Sequence, residues 1–184
     1  MRYKFKEPIP PMSVTAIRRV PEARNEPVKT YAPGSPERAE IKARLKSMAA
    51  ERVEIPVVVD GQHITTGHKS SVVSPHNHRH VLADVHEATA AHIQAAIEAS
   101  KRAQKTWGSW AFEERAAVIL RAADLLTGKY RADINAATML GQSKTIHQSE
   151  IDAACELADF FRESLRAGAQ NRIALSRSAT PIDR

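Results

Sequence analysis

Cysteine is almost absent from this 184-residue chain: Cys155 is the only one. A lone thiol cannot close an internal disulfide and cannot build a cysteine zinc cluster, and a reducing compartment is its simplest setting. Aromatic side chains are scarce as well, at 5%. No basic run is interleaved with them, so the stacking platform of a single-strand binder is missing. The formal net charge is +6, but the basic residues are scattered, and no nucleic-acid partner is expected. No stretch approaches the roughly 18 consecutive apolar residues of a membrane span, so no membrane association is expected either. The opening "MRYKFKEPIPPMSV" has basic residues but no apolar core, which excludes a secretory signal of the usual form.

What is present suits a globular protein: 42% hydrophobic and 26% charged residues, at a length of one domain or a domain with an arm. Residues 1–34 hold Pro8, Pro10, Pro11, Pro21, Pro27 and Pro33, which favour extended backbone. They read as an extended arm lying on a larger body, or as disorder. "GSPERAEIKARLKSMAAE" then starts a helix with Ser35 as N-cap, Pro36 at the first position and Glu37 at the positive end. Ile41, Leu45 and Met48 give it one apolar stripe. In "EIPVVVDGQHITT", β-branched Val57, Val58 and Val59 precede Asp60-Gly61, a strong signal for a type I′ hairpin. "VVSPHNH" and "VLADVHE" read as a second strand pair around a Pro/Asn turn.

From Thr89 the pattern is helical. Ile93, Ala96, Ile97 and Ala103 share one face of a first helix, with Trp107 a turn further on. A second helix is expected from Phe112 to Leu126, and a third from Arg131 to Leu140, closing on Gly141 at C′. A fourth, from about Thr145, carries the stripe Ile151, Ala154, Cys155, Ala158 and Phe161. Residues 164–184 lose the periodicity and are expected to fray.

Four features could carry chemistry. His76, His78 and His80 alternate, with His86 close by, and a strand would place alternate imidazoles on one face for zinc or copper. Pro75 and Asn77 break the alternation, and no carboxylate sits among the three, so solvated hairpin residues and no metal site are expected. Cys155 lies on an apolar helix stripe and reads as a buried structural thiol rather than a nucleophile. "MLGQSKT" lacks the spacing of a phosphate loop and a preceding strand, and reads as a turn between helices. Glu150, Asp152, Glu156 and Asp159 lie on the last helix, where most carboxylates are solvated or paired. The residues by themselves reveal no self-contained catalytic constellation.

The pieces "SPHNHRHVLADVHEATAAHIQAAIEASKRAQKTW", "EERAAVILRAADLL", "ADINAATMLGQSKT" and "EIDAACELADFFR" follow one another in order. In that order they resemble the N-terminal region of the aldehyde dehydrogenase superfamily. With "NEPVKTYAPGSPERAEIKARL" and "EIPVVVDGQHITTG", the chain is similar to the branch of that superfamily that oxidises L-glutamate γ-semialdehyde. The resemblance covers roughly residues 25–163.

The resemblance implies an α/β fold: the helix-rich N-terminal part of the aldehyde dehydrogenase fold, with short β-hairpins and an incomplete Rossmann-like domain. It divides the chain into an arm (1–34), an incomplete dehydrogenase-like region (35–163) and a divergent tail (164–184). It implies NAD-dependent oxidation of the semialdehyde to glutamate in proline breakdown, through a cysteine thiolate, an oxyanion-binding asparagine and a glutamate that assists hydrolysis. None of those three motifs has a counterpart here, so no catalytic and no cofactor-binding residue is assigned, and the isolated chain is expected to be inactive. The helix equivalent to 150–162 lines the substrate tunnel in the family. This implies a carboxylate that meets the substrate's α-ammonium, with Glu156 the first choice and Glu150 the second. A small aldehyde substrate, a homo-oligomer for the full-length family, and a cytoplasmic or mitochondrial-matrix setting complete the expectation. The alternative is a small helical binding protein that reuses the scaffold.

Overall fold

The computed structural model describes the backbone of residues 20–178 and the side chains of 20–170. Residues 1–19 of the expected arm, and 179–184 of the tail, lie outside the described residues. From 20 to 32 the chain has no helix or strand, Tyr31 takes a left-handed conformation at φ 51°, and the segment ends at a turn over 33–34 before Ser35.

Helix α1 (Pro36–Ala50) begins as expected. The Ser35 hydroxyl accepts the Arg38 amide at 3.3 Å, and Pro36 sits where its missing N–H costs nothing. Its stripe buries Ile41, which clusters with Tyr31 and Ala136, and Leu45, Met48, Met139 and Ile146 pack around them.

Five short strands follow: β1 (Val53–Ile55), β2 (Val57–Val59), β3 (Gln62–Ile64), β4 (Lys69–Ser74) and β5 (Asn77–His86). β2 and β3 form the predicted hairpin, with Asp60 at φ 52° and Gly61 at φ 71°, as a type I′ turn demands. β4 and β5 pair antiparallel around Pro75-His76. The turn is one residue earlier than expected. Asn77 already belongs to β5, so His78, His80 and His86 are strand residues. β1 pairs in parallel with β5, from Val53 opposite Ala83 to Ile55 opposite Val85, giving a three-stranded sheet in the order β1-β5-β4. Local patterning cannot announce that pairing, because the partners are about 30 residues apart and joined through the other hairpin.

Helix α2 (Ala90–Ser109) starts at a Thr89 capping box completed by the His92 ring. It departs from expectation in its packing. It has no buried residue, and Ile93 and Ile97 are 56% and 43% exposed. Its apolar face forms an open groove of about 600 Å³ with Ala96, Ser100, Lys101 and Gln104. An Arg102–Asp60 ion pair ties α2 to the β2–β3 hairpin.

Helices α3 (Phe112–Thr127) and α4 (Arg131–Gln142) come next. Gly141 does not end α4, as had been expected. The helix continues to Gln142, and Ser143 takes the left-handed position at φ 56°. The Ser143 hydroxyl is held by the His76 ring at 2.7 Å, a tertiary contact at a left-handed residue two positions later than expected. A second capping box, Thr145 with Gln148, opens α5 (Ile146–Ser149). α5 runs through one π-helical turn (Glu150–Cys155) into α6 (Glu156–Ser178). Where fraying was expected from 164, the backbone stays helical to Ser178. α6 packs on α3, and Gly168 allows the Phe112 ring to approach so closely that a Cβ would lie 3.2 Å from it.

Candidate functional site

The polar centre of the molecule is Glu150, which is fully buried in the π-helical turn. A buried carboxylate must be paired and hydrogen-bonded, or it becomes protonated instead. Here both oxygens are saturated. The Arg131 guanidinium reaches Oε1 at 2.5 Å from Nη2 and 3.2 Å from Nε. The Lys29 backbone N–H donates to Oε1 at 2.8 Å. The Tyr31 hydroxyl and the Asn135 amide each donate to Oε2 at 2.8 Å. Burial would raise the Glu150 pKa, but Arg131 and the other donors override it and hold it below the ordinary carboxylate range. Burial and the Glu150 charge together push the Tyr31 hydroxyl well above its usual value.

Arg131 is the hub. It is 4% exposed, and it also donates to Glu26 at 2.6 Å and to the Pro27 carbonyl at 2.7 Å. Glu26 is held in turn by Arg162 at 3.0 Å, and its amide donates to Asp159 at 2.7 Å. Segment 26–31 is therefore clamped between α4 and the π-turn/α6 helix, through Glu26 at one end and through the Lys29 N–H and Tyr31 hydroxyl at the other. Cys155 lies against the same cluster, with Sγ 3.5 Å from Arg131 and 3.9 Å from Glu150. Burial, reinforced by the Glu150 charge, pushes its thiol up to about 11, and the side chain is buried as its place on the apolar stripe predicts.

The π-turn explains this juxtaposition. In an α-helix, 3.6 residues per turn place positions five apart about 140° around the axis from one another. Here the Glu156 amide bonds the Ile151 carbonyl five residues back, which brings Glu150 and Cys155 onto the same inner side. Glu156 follows on the outer side and is exposed. The two carboxylates proposed as candidates are thus separated: Glu150 is in the core, and Glu156 faces out. Of their neighbours, Asp152 pairs with Lys144 at 2.5 Å and Asp159 with the arm. Lys144 of "GQSKT" is thus an ion-pair partner in a helix–helix turn.

The histidines do not converge. His76 bonds Ser143, His80 contacts the Ala49 carbonyl at 2.8 Å, and His78 is exposed. His86 is buried between Thr66 N–H, which donates to Nδ1 at 2.9 Å, and Glu54 at 2.8 Å from Nε2. Among the described residues no three His, Cys, Asp or Glu side chains are grouped to hold a metal.

Reading by residue pattern missed Arg131, Asn135, Tyr31 and Glu26. A signal existed: Arg131 and Asn135 are four apart on the face of α4 that also carries Ala136 and Met139, a polar pair on an apolar stripe. Such a pair asks for a buried partner.

The aldehyde dehydrogenase family profile matches residues 63–181, running past Glu163, where the motif resemblance stops. The chain is 43% identical over 145 residues to the Delta-1-pyrroline-5-carboxylate dehydrogenase of Agaricus bisporus, covering 78% of this chain and 27% of that protein. It is 44% identical over 138 residues to the mitochondrial Delta-1-pyrroline-5-carboxylate dehydrogenase of Homo sapiens, covering 75% and 24%. A crystal structure of the Delta-pyrroline-5-carboxylate dehydrogenase from Mycobacterium tuberculosis bound with NAD superposes with a TM-score of 0.85 at 45% identity, over 93% of this chain and 31% of that one. The chain thus spans about a quarter to a third of the length of these relatives. Among the described residues no helix is long and apolar enough to cross a membrane.

Proposed function

Because the chain belongs to the aldehyde dehydrogenase family, we propose that it forms the N-terminal portion of an NAD-dependent dehydrogenase that oxidises L-glutamate γ-semialdehyde to glutamate in proline breakdown. One observation carries the reading: an ordered likeness at 43% to 45% identity, over three quarters of the chain or more, to enzymes named for that substrate. A free-standing helical binding protein is not favoured, since those relatives are dehydrogenases.

Among the described residues no strand passes through a glycine-rich turn into a helix, which is how such sheets cradle a dinucleotide. No step through NAD is therefore assigned to this chain, and in this proposal the nucleotide is held elsewhere in the complete enzyme. What this chain contributes is one wall of the substrate passage. Glu156, exposed on α6, pairs with the α-ammonium of the semialdehyde, a charge-assisted contact suited to a half-dry tunnel. Glu150 serves beneath it, since its oxygens are already occupied. The partners in this reading are a small aldehyde and further copies of the same enzyme, with no nucleic acid. The setting is the cytoplasm, or the mitochondrial matrix in a eukaryote.

A chimera tests this. The segment replaces the matching part of the Mycobacterium tuberculosis enzyme, and NADH formation is followed. Turnover of the semialdehyde is expected from the chimera and none from the 184-residue chain alone. In the chimera, Glu156→Ala raises KM for the semialdehyde by about tenfold or more, the worth of one hydrogen bond to a charged group. Glutarate semialdehyde, which lacks the ammonium, is unaffected. Equal loss for both aldehydes, or turnover by the isolated chain, overturns the reading.

A further inference from the structure

We propose that Glu150 is a positioning residue: gripped from the arm and from α4, it fixes the π-helical register that turns Glu156 outward. The proposal rests on the reading of Glu156 as the ammonium contact, but its test does not.

Three observations carry it. First, the register is abnormal where the grip is tightest. A π-turn is a rare insertion within an α-helix, and it persists only where the surroundings over-determine it. Here it spans Glu150–Cys155, and apart from a long Cys155 Sγ contact at 3.9 Å the hydrogen bonds to the Glu150 carboxylate come from outside the turn: from Lys29 and Tyr31 of the arm and from Arg131 and Asn135 of α4. Second, the two ends of the turn share one partner. Arg131 contacts both Glu150 and Cys155, an arrangement that α-geometry would pull apart by about 140°. Third, the same clamp recurs beyond the turn, where Glu26 joins Arg131 to Arg162 and its amide caps Asp159. The arm thus holds the helix on both sides of Glu156 and leaves that side chain exposed between them. Removing one residue from the turn rotates everything after it by about 100°, the angle per residue in an α-helix, which would carry Glu156 off its present face.

The lone cysteine is a built-in reporter, because only the π-register keeps Cys155 at 3% exposure next to Arg131. The experiment uses the full 184-residue chain without substrate. In the wild-type chain, a through-hydrogen-bond NMR correlation is expected between the Glu156 amide and the Ile151 carbonyl, and the thiol is protected from alkylation. In Glu150→Gln, which keeps the shape but loses the charge, the correlation moves to Asp152. Alkylation of Cys155 then speeds up on the order of tenfold, because labelling needs the buried site to open. Should Glu150→Gln fail to fold, Tyr31→Phe removes one donor from the arm side and is expected to give the same pair of changes with helical circular dichroism retained. A folded variant that keeps the Ile151–Glu156 correlation and a protected thiol overturns the proposal. A lost substrate preference in Glu156→Ala, without any register change, bears only on the function reading.

Discussion

Replacing Arg131 by Met removes the only guanidinium among the described residues that bonds Glu150, and leaves two carboxylates, Glu150 and Glu26, without it. Glu150 is fully buried and the Glu26 side chain is 14% exposed, so neither can recover its hydration in place. Breaking a buried pair by removing one partner costs about 3–5 kcal/mol. For a chain of this size that converts to a fall in Tm of roughly 6–20 °C, at about 2–4 °C per kcal/mol. The assay is calorimetry or urea unfolding at neutral pH, with Lys101→Ala as control. That lysine pairs with Glu98 across an exposed helix face, 65% and 49% open, and its loss leaves Tm unchanged. The pH dependence has a definite sign. Although burial opposes it, Arg131 and the other donors depress the Glu150 pKa in the folded state, so its contribution to stability is present above the ordinary value of 4.5 and is lost as pH falls through the folded value. In Arg131→Met burial is less opposed, the folded pKa lies higher, and the variant loses less on acidification. The gap between the two proteins therefore narrows below pH 4.5. A loss under about 1 kcal/mol at neutral pH, the range of exposed pairs, would refute the view of this cluster as dry.

The other expectations are smaller. Gly61→Ala forces a side chain into positive φ in the β2–β3 turn and costs roughly 1–2 kcal/mol, read from the urea midpoint. His86→Ala strands the Thr66 amide and is expected to cost about 1–3 kcal/mol, whereas His78→Ala on the exposed stretch of β5 leaves the midpoint in place. Calorimetric titration with zinc at micromolar metal gives no binding heat, since His76, His80 and His86 face different partners; a stoichiometric site would contradict that geometry. Alkylation of Cys155 in the native chain is slow at neutral pH and does not accelerate until the fold opens, because burial pushes the thiol up to about 11.

Which parts of this architecture were legible in the sequence follows from how far each signal reaches along the chain. The α1 start, the Asp60-Gly61 hairpin and the Thr145 cap are decided by residues within four positions of one another, and each appears where its chemistry places it. The β1–β5 pairing, the later end of α4 and the exposed face of α2 depend on what lies opposite in space, so periodicity misjudged them. The site divides along the same line. Asp152, Cys155 and Glu156 could be placed on a helix from the motif, but a π-turn has no local signature, and a regular helix would have put Glu150 and Cys155 on different faces. Part of the grip on Glu150 comes from Arg131 and Asn135 on α4, and part from Lys29 and Tyr31, more than a hundred positions upstream. Lys29 and Tyr31 belong to the stretch that the prolines mark as an arm with no structure of its own. An arm can still carry information, because it brings the Lys29 N–H, Tyr31 and Glu26 onto the same Arg131–Glu150 cluster. A truncation that removes residues 1–31 should therefore do more than shorten the chain. It would withdraw Lys29 and Tyr31 from the groups that hydrogen-bond Glu150, and the helix carrying Glu156 would lose its register before it lost its helicity.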